Sequence, residues 1–431
     1  MDKIVSLCKR RGFIFQGSEI YGGLAGTYDW GHFGLALKNN IKQSWWKKFV
    51  DSRRDMYGID AAILMRQEVW QKAGHVENFA DPMVECEKCH KKFRADQIVS
   101  EASKSSDISC PECNGKLGEA KQFNMMFQTK VGASEDSSAI SYLRPETAQG
   151  MFVNFKNTVD VFHPKLPFGM AQIGKAFRNE ITPRDFLFRQ REFEQMEIEY
   201  FVRAEDWEKY FEYWKDEMME WMEEVGIDMN KVHDIEIPKE DLAHYSKRTV
   251  DFEFEYPFGQ KELFGLAYRT DFDLKNHQLE YIDSETNEKF IPHVVEPTFG
   301  VDRAVLALLL SSYSEDKKNG EIRSYLKFKP NIAPVICAVS PLLKNKPELV
   351  EYANTKVFAP LKTEFGRVVW DDNGNIGKRY RRQDEIGTPF CIVVDFDTLT
   401  DDAVTVRDRD TGEQERVKVS ELIGFIKNKI T

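Results

Sequence analysis

The chain has 431 residues, 42% of them hydrophobic and 13% aromatic, with a net charge of −11. That length predicts two or three domains, and that apolar content excludes a disordered chain. The acidic balance excludes a surface coated for indiscriminate nucleic-acid binding and leaves room for a local basic patch.

Met1 to Arg11 holds no apolar stretch of signal-peptide length, and the longest apolar run, Ala304 to Leu310, is far too short for a bilayer. The expectation is a soluble cytoplasmic protein that meets no membrane. Gly22, Gly23 and Gly26 do not make a phosphate loop, because no Gly-Lys-Ser/Thr follows them. Leu35 to Val50 reads as a helix, with Leu35, Ile41, Trp45 and Phe49 among its apolar positions.

The polar stretch from Cys86 to Cys113 carries two Cys-x-x-Cys pairs, Cys86 with Cys89 and Cys110 with Cys113, 20 residues apart. Two such knuckles make a tetrahedral thiolate site, and a full set of four protein ligands predicts a structural Zn²⁺. Four free thiols or a disulfide are the alternatives, less suited to this compartment. Cys8, Cys337 and Cys391 read as ordinary buried thiols.

Ser134 to Ser138 reads as a loop. Gly169 to Phe201 reads as two strands around the turn Thr182-Pro183-Arg184-Asp185-Phe186. Glu205 to Val225 is an amphipathic helix: Trp207, Tyr210, Phe211, Trp214, Met218, Trp221 and Val225 recur at helical steps, and Gly226 stops it. Thr249 to Tyr256 alternates like a half-buried strand, and Thr298 to Tyr313 reads as a turn leading into a buried helix. After Pro330, strands at 332–339, 368–370, 390–395 and 404–406 alternate with helices at 349–365 and 419–429, predicting a small α/β domain.

Side chains alternate along a strand, so Arg178 and Glu180 share one face of the first segment, and Phe193, Gln195 and Glu197 share one face of the second. Arg189 and Arg191 lie on the return. Such a hairpin collects guanidinium groups for a polyphosphate and a ring for a base. The plain alternative is an exposed hairpin with a solvated charged face.

Phe177-Arg178-Asn179-Glu180, a loop, then Arg191-Glu192-Phe193 resembles motif 2 of the class II aminoacyl-tRNA synthetases, and Gly300-Val301-Asp302-Arg303 before an apolar helix resembles their motif 3. The resemblance implies an α+β fold: an antiparallel catalytic sheet with flanking helices over 1–330, a zinc-ribbon-like insertion at 84–118, and an α/β anticodon-binding domain over 331–431. It implies catalytic roles for Arg178, Glu180 and Arg303. Arg178 neutralises the α-phosphate, Arg189 and Arg303 hold the γ-phosphate, Phe193 stacks on adenine, and Glu180 contacts adenine or the tRNA end. Glu262 takes ATP with its Mg²⁺, and Asn179, Leu263 and Gly300 complete the implied ATP site.

Longer stretches resemble the glycyl branch: Leu143 to Gly150, Gln172 to Glu180, Arg189 to Glu197, Arg269 to Leu274, and Glu296-Pro297-Thr298-Phe299-Gly300. That branch implies a substrate ammonium held by Glu146, Glu197 and Glu296, a substrate carboxylate oriented by Arg269, and further glycine contacts from Arg144, Gln195 and Thr298. Crowding would reject larger amino acids. Two departures stand out. Thr298 replaces the usual Ser, and Tyr28 to Gly34 lacks the proline usual in motif 1, which builds the family's homodimer interface. A prolyl or threonyl enzyme is disfavoured by the glutamate set. An inactive nucleic-acid-binding accessory subunit is disfavoured because Arg178, Glu180, Glu262 and Arg303 are all kept.

The run Lys378-Arg379-Tyr380-Arg381-Arg382 resembles a segment of the anticodon-binding domain that the glycyl, histidyl, prolyl and threonyl enzymes share. It implies phosphate and base contacts to tRNA. Arg407 and Arg409 are further candidates, and a solvated helix or loop face is the alternative. The implied partners are glycine, ATP, tRNA-Gly and a second copy of the chain, with the ribbon near the tRNA acceptor arm.

Overall fold

The computed structural model describes residues 1–96, 98, 109–133, 139–318 and 320–430, so the loop expected at Ser134 to Ser138 lies outside the described residues. Helices Asp2–Arg11 (α1) and His32–Trp46 (α2) come first. A seven-stranded sheet follows, made of Met56–Gly58 (β1), Phe168–Phe177 (β2), Glu192–Val202 (β3), Val232–Glu236 (β4), Arg248–Tyr256 (β5), Gly259–Thr270 (β6) and His293–Gly300 (β7). Helices Ala148–Phe162 (α3), Trp207–Val225 (α4) and Val301–Ser312 (α5) are threaded among these strands. The strand order is β4-β5-β6-β7-β3-β2-β1, antiparallel except for the β1–β2 pair at one edge.

β3 shows why the sheet has two unlike faces. Its even-numbered apolar residues, Met196, Ile198, Tyr200 and Val202, are buried in the main core with α2, α4 and α5. There Trp45, Phe49, Trp214, Trp221, Phe264 and Phe299 meet in tilted and edge-on contacts with centroids 4.9 to 6.3 Å apart. The odd-numbered side chains face the other way. At one end of that face Phe201 packs with Phe168 against Phe152 and Phe155 of α3. Toward the other end the face stays open and polar. Among the described residues, no helix is long and apolar enough to cross a membrane.

The expected helix at Glu205 to Val225 forms from Trp207 and ends where Gly226 takes φ 96°. Thr298 belongs to β7 rather than to a turn, so the strand feeds directly into α5. The hairpin strand ends at Phe177. Arg178, Asn179 and Glu180 lie beyond it, where the Glu180 N–H turns back to the Arg178 carbonyl at 2.7 Å. Strand alternation therefore does not govern those three residues.

The C-terminal sheet runs β9-β8-β10-β11-β12, from Cys337–Pro341 (β8), Val368–Trp370 (β9), Phe390–Val394 (β10), Ala403–Asp408 (β11) and Gln414–Lys418 (β12). It encloses its own apolar core. The strand expected from Ile332 starts only at Cys337, because Pro334 offers no N–H for a ladder. The helix expected over 349–365 is interrupted by a wide turn at Ala353–Phe358, next to Pro360, which cannot bond back into a regular helix. β12 has a mainly charged sequence and was not anticipated.

Candidate active site

A cavity of about 580 Å³ opens on the polar face of the sheet. β3 supplies its axis: Phe193, Gln195 and Glu197 line it in a row, as alternation predicts. Arg178, Glu180, Arg189, Glu262, Leu263, Gly300 and Arg303 line one part, and Glu146, Glu296 and Thr298 another. The tertiary fold thus brings together thirteen of the sixteen residues expected at the two substrate sites. Asn179, Arg144 and Arg269 are not in the lining.

One part of the cavity is cationic. The Arg178 guanidinium lies over the rings of Phe193 and Phe79, 5.3 and 5.4 Å from their centroids, and its Nε donates to the Pro145 carbonyl at 3.1 Å. Arg303 pairs with Glu262 at 3.1 Å and covers the Phe188 ring. It is not tied to the neighbouring Asp302, which instead holds Lys38 at 3.1 Å and the Glu194 N–H at 2.7 Å. Arg303 keeps the Glu262 carboxyl below its ordinary range. Arg189 reaches Glu180 at 3.4 Å.

The other part is a nest of buried carboxyls. Glu197 accepts from Thr147 Oγ1 at 2.5 Å and from Thr298 Oγ1 at 3.1 Å, so the hydroxyl kept at position 298 has a partner. Glu146 sits 3.2 Å from His75 Nε2. Burial alone would raise its carboxyl, yet His75, Arg269 and Arg178 hold it well below the carboxylate range. Burial and then the charges of Glu197 and Glu146 push Glu296 up to about 8, although Arg269 opposes the rise. Burial and Glu146 raise Glu197 as well.

Two expected glycine contacts are corrected. Arg269, 1% exposed, donates to Asp273 at 2.7 and 2.9 Å and to Glu296 at 2.8 Å, beneath the Tyr245 ring at 3.9 Å. Two of these bonds go to Asp273 and one to Glu296, so this buried guanidinium orients Glu296 rather than lining the cavity for a substrate carboxylate. Arg144 is equally buried and donates to the carbonyls of Lys175 at 2.6 Å and Ala61 at 2.8 Å, beside Gly174, where an added Cβ would come within 2.2 Å of it. It braces the cavity wall.

Sequence reasoning missed His75, Glu199 and Asp251. Asp251 lines the cavity, and burial with Glu262 and Glu253 pushes it up to about 7. Glu199 lay one alternation step beyond Glu197, so the same reading extended by two residues would have found it. No local signal marked His75.

The four cysteine sulfurs of the ribbon lie within 4.8 Å of one another, with Cys86–Cys113 at 3.5 Å and Cys89–Cys110 at 3.7 Å. Zinc–thiolate bonds in a tetrahedron place sulfurs about 3.8 Å apart, so the quartet fits that ion. The Cys89 and Lys88 N–H groups pull the Cys86 thiol down, while burial and the neighbouring sulfurs push Cys113 up, so the four thiols share their protons unevenly. Cys8, Cys337 and Cys391 are buried, with raised thiols, as expected. The strands Ala80–Glu85, Lys92–Arg94 and Lys121–Asn124 at the ribbon's base bring Arg94 and Met125 to the cavity.

The basic run of the C-terminal domain lies on helix Ile376–Ile386 (α6). Arg379 is buried and donates to the carbonyls of Pro341, Gly374 and Asp372. Arg382 is held by Asp371, and Arg381 donates to the Ile322 carbonyl. Tyr380 lies under Arg407, whose guanidinium is paired with Asp384. Arg409 is spent on Asp410 and two carbonyls. Lys378 remains exposed. Most of the run braces the domain rather than offering free cations.

Residues 127–313 match the family described as tRNA synthetase class II core domain (G, H, P, S and T), and residues 336–429 match the anticodon binding domain. The chain is 47% identical to the glycine–tRNA ligase of Bacillus thuringiensis subsp. konkukian, with 100% of the chain and 99% of the relative covered. It is 46% identical to that of Thermus thermophilus, with the same coverage, and 49% identical to that of Clostridium kluyveri, with 98% of the relative covered. With its arginine-lined cavity and its glutamate nest on one sheet, this chain belongs to the glycine–tRNA ligase family of class II synthetases.

Proposed function

We propose that the cavity activates glycine with ATP and then passes it to the 3′-terminal adenosine of tRNA-Gly. In the first step the glycine carboxylate attacks the α-phosphorus in line, forming glycyl-adenylate as pyrophosphate leaves. In the second, the adenosine hydroxyl attacks the adenylate carbonyl and releases AMP. Neither step requires a bond to the enzyme, so positioning and charge neutralisation supply the catalysis. Arg178 faces the α-phosphate, Arg189 and Arg303 the γ-phosphate end, Phe193 the adenine, and Glu262 the Mg²⁺ that accompanies ATP. Glu146, Glu197 and Glu296 receive the ammonium, with Thr147 and Thr298 fixing Glu197 and Arg269 fixing Glu296.

The observation that carries this reading is the row Phe193, Gln195, Glu197 on one strand face, running from the arginines to the glutamates within one cavity. Amino-acid-dependent pyrophosphate–ATP exchange with each of the twenty amino acids tests it. Exchange is expected with glycine; exchange with proline or threonine instead would refute it.

The wider arrangement belongs to the same proposal. The catalytic domain ends near Pro330 and the anticodon-binding domain follows, a division supported by the two separate cores. The cysteine quartet holds a structural Zn²⁺, the working form is a homodimer, and the site of action is the cytoplasm. Lys378 is the anticodon contact best supported by its exposure.

A further inference from the structure

Glu199 has no part in the roles above, yet it is among the most confined acids of the molecule. It is 0% exposed, and neither carboxylate oxygen has a hydrogen-bond partner. It shares the β3 face of Glu197, and in the β3–β7 register it falls beside Glu296, between the Glu197–Thr298 and Tyr200–Val295 pairs. One oxygen from each of Glu197, Glu199 and Glu296 lies within 4.8 Å of the others.

The charged groups facing Glu199 are Glu197 on its own strand, Glu296 on β7, Arg269 on β6 and Asp273 in the short helix Phe272–Asn276. Four carboxyls thus share one guanidinium, and that guanidinium is already committed to Asp273 and Glu296. An ionised carboxylate with no partner in such a place is strongly disfavoured, and such a group takes up a proton instead. Burial first, and then Glu296, raises the Glu199 carboxyl well above its ordinary range.

We propose that Glu199 is a neutral carboxylic acid whose O–H donates a hydrogen bond to Glu296 once glycine binding has ionised it, positioning that carboxylate beneath the substrate ammonium without adding a charge of its own. Glu296 Oε1 already accepts from Arg269, and a hydrogen bond from Glu199 adds a second restraint on the carboxylate. The neutral acid also keeps the negative charge under the ammonium at a level the buried site can hold. This inference rests on the glycine pocket proposed above.

The test measures glycine KM and kcat by pyrophosphate exchange between pH 6.5 and 8.5 for the full-length chain, Glu199→Gln and Glu199→Met. Methionine removes the donor, and glycine KM is expected to rise about tenfold, the worth of one hydrogen bond, with kcat moving less. Glutamine restores a neutral donor, and KM is expected to return to within about threefold of the parent chain with the pH inflection of Glu296 unmoved. A Gln variant as impaired as the Met variant would overturn the proposal, as would a Met variant that matches the parent. If the Met variant does not fold, the Gln variant decides alone. Loss of an ionised neighbour would shift the Glu296 inflection to lower pH, and that shift would also overturn the proposal. Exchange by the parent chain with another amino acid but not glycine would refute the pocket reading itself, a separate result.

Discussion

Arg178 illustrates how much one side chain carries here. Its guanidinium lies over two rings and is anchored by a single bond to Pro145, which leaves donors free toward the cavity. Arg178→Ala is expected to lower glycine-dependent exchange about 10²- to 10³-fold, the usual loss for a transition-state charge stabiliser, while tRNA affinity measured by filter binding changes little. Glu296 sets a pH dependence. With its carboxyl pushed up to about 8, the free site is mostly protonated at pH 7. An arriving ammonium favours the ionised form, so glycine binding releases a proton and tightens as pH rises toward 8. Titration calorimetry in buffers of different ionisation enthalpy checks this: proton release near pH 7 that fades above pH 8 is expected, and proton uptake would contradict it. The glutamates at 146, 197 and 296 were legible from the sequence through resemblance. Glu199 was legible from alternation alone. His75 was not, because its only signal is a partner 71 positions away in the chain.

At the scale of elements, the ribbon and the cavity are mechanically joined. Phe79, just before the ribbon's first strand, lies under Arg178, and the Met125 carbonyl just after its last strand accepts from the Asn179 N–H at 2.7 Å. Asn179 is therefore tied through its backbone to Met125, which lines the cavity. Metal analysis of the reduced protein is expected to find one zinc per chain. Cys86→Ser should lose the metal and weaken exchange as well, and full activity without zinc would separate the two. The helix α4 was readable from its aromatic spacing, and its energetic weight follows from packing. Trp221, fully buried against Phe264 and Phe299, should cost about 3–5 kcal/mol when changed to Ala, measured by urea unfolding. The helix over 353–358 was misread because Pro360 acts through backbone bonds that hydrophobic spacing does not encode. The ends of the hairpin were misread because the chain leaves the ladder at Phe177 to meet the ribbon.

At the scale of the whole molecule, α6 ties the C-terminal sheet to the catalytic part. Glu385 pairs with Arg10 and Arg11 of α1, while Asp384, buried, takes Arg407 from its own sheet and Arg323 from the hairpin 313–326. Arg409 adds a bond to the Phe328 carbonyl at 2.9 Å. Asp384→Ala leaves the buried Arg407 guanidinium without its carboxylate, while Arg323 keeps Asp316, and should cost about 3–5 kcal/mol. Limited proteolysis is expected to cut that variant faster near 327–336, and an unchanged digest would mean that the junction does not rely on it. The linear chain determined the class of its chemistry: the order Arg178, Phe193, Glu197, Arg303 and the cysteine spacing are local patterns, and local patterns survive in one dimension. It also determined which strand runs from the arginines to the glutamates, because alternation is a property of the backbone. Only the tertiary structure decided which arginines are free. Arg144, Arg269, Arg379 and Arg382 read in the sequence as ligand contacts, but each is consumed by carbonyls or carboxylates brought from other parts of the chain. A guanidinium is available only after the fold has satisfied the buried acceptors around it, and those acceptors come from elements that no local pattern connects.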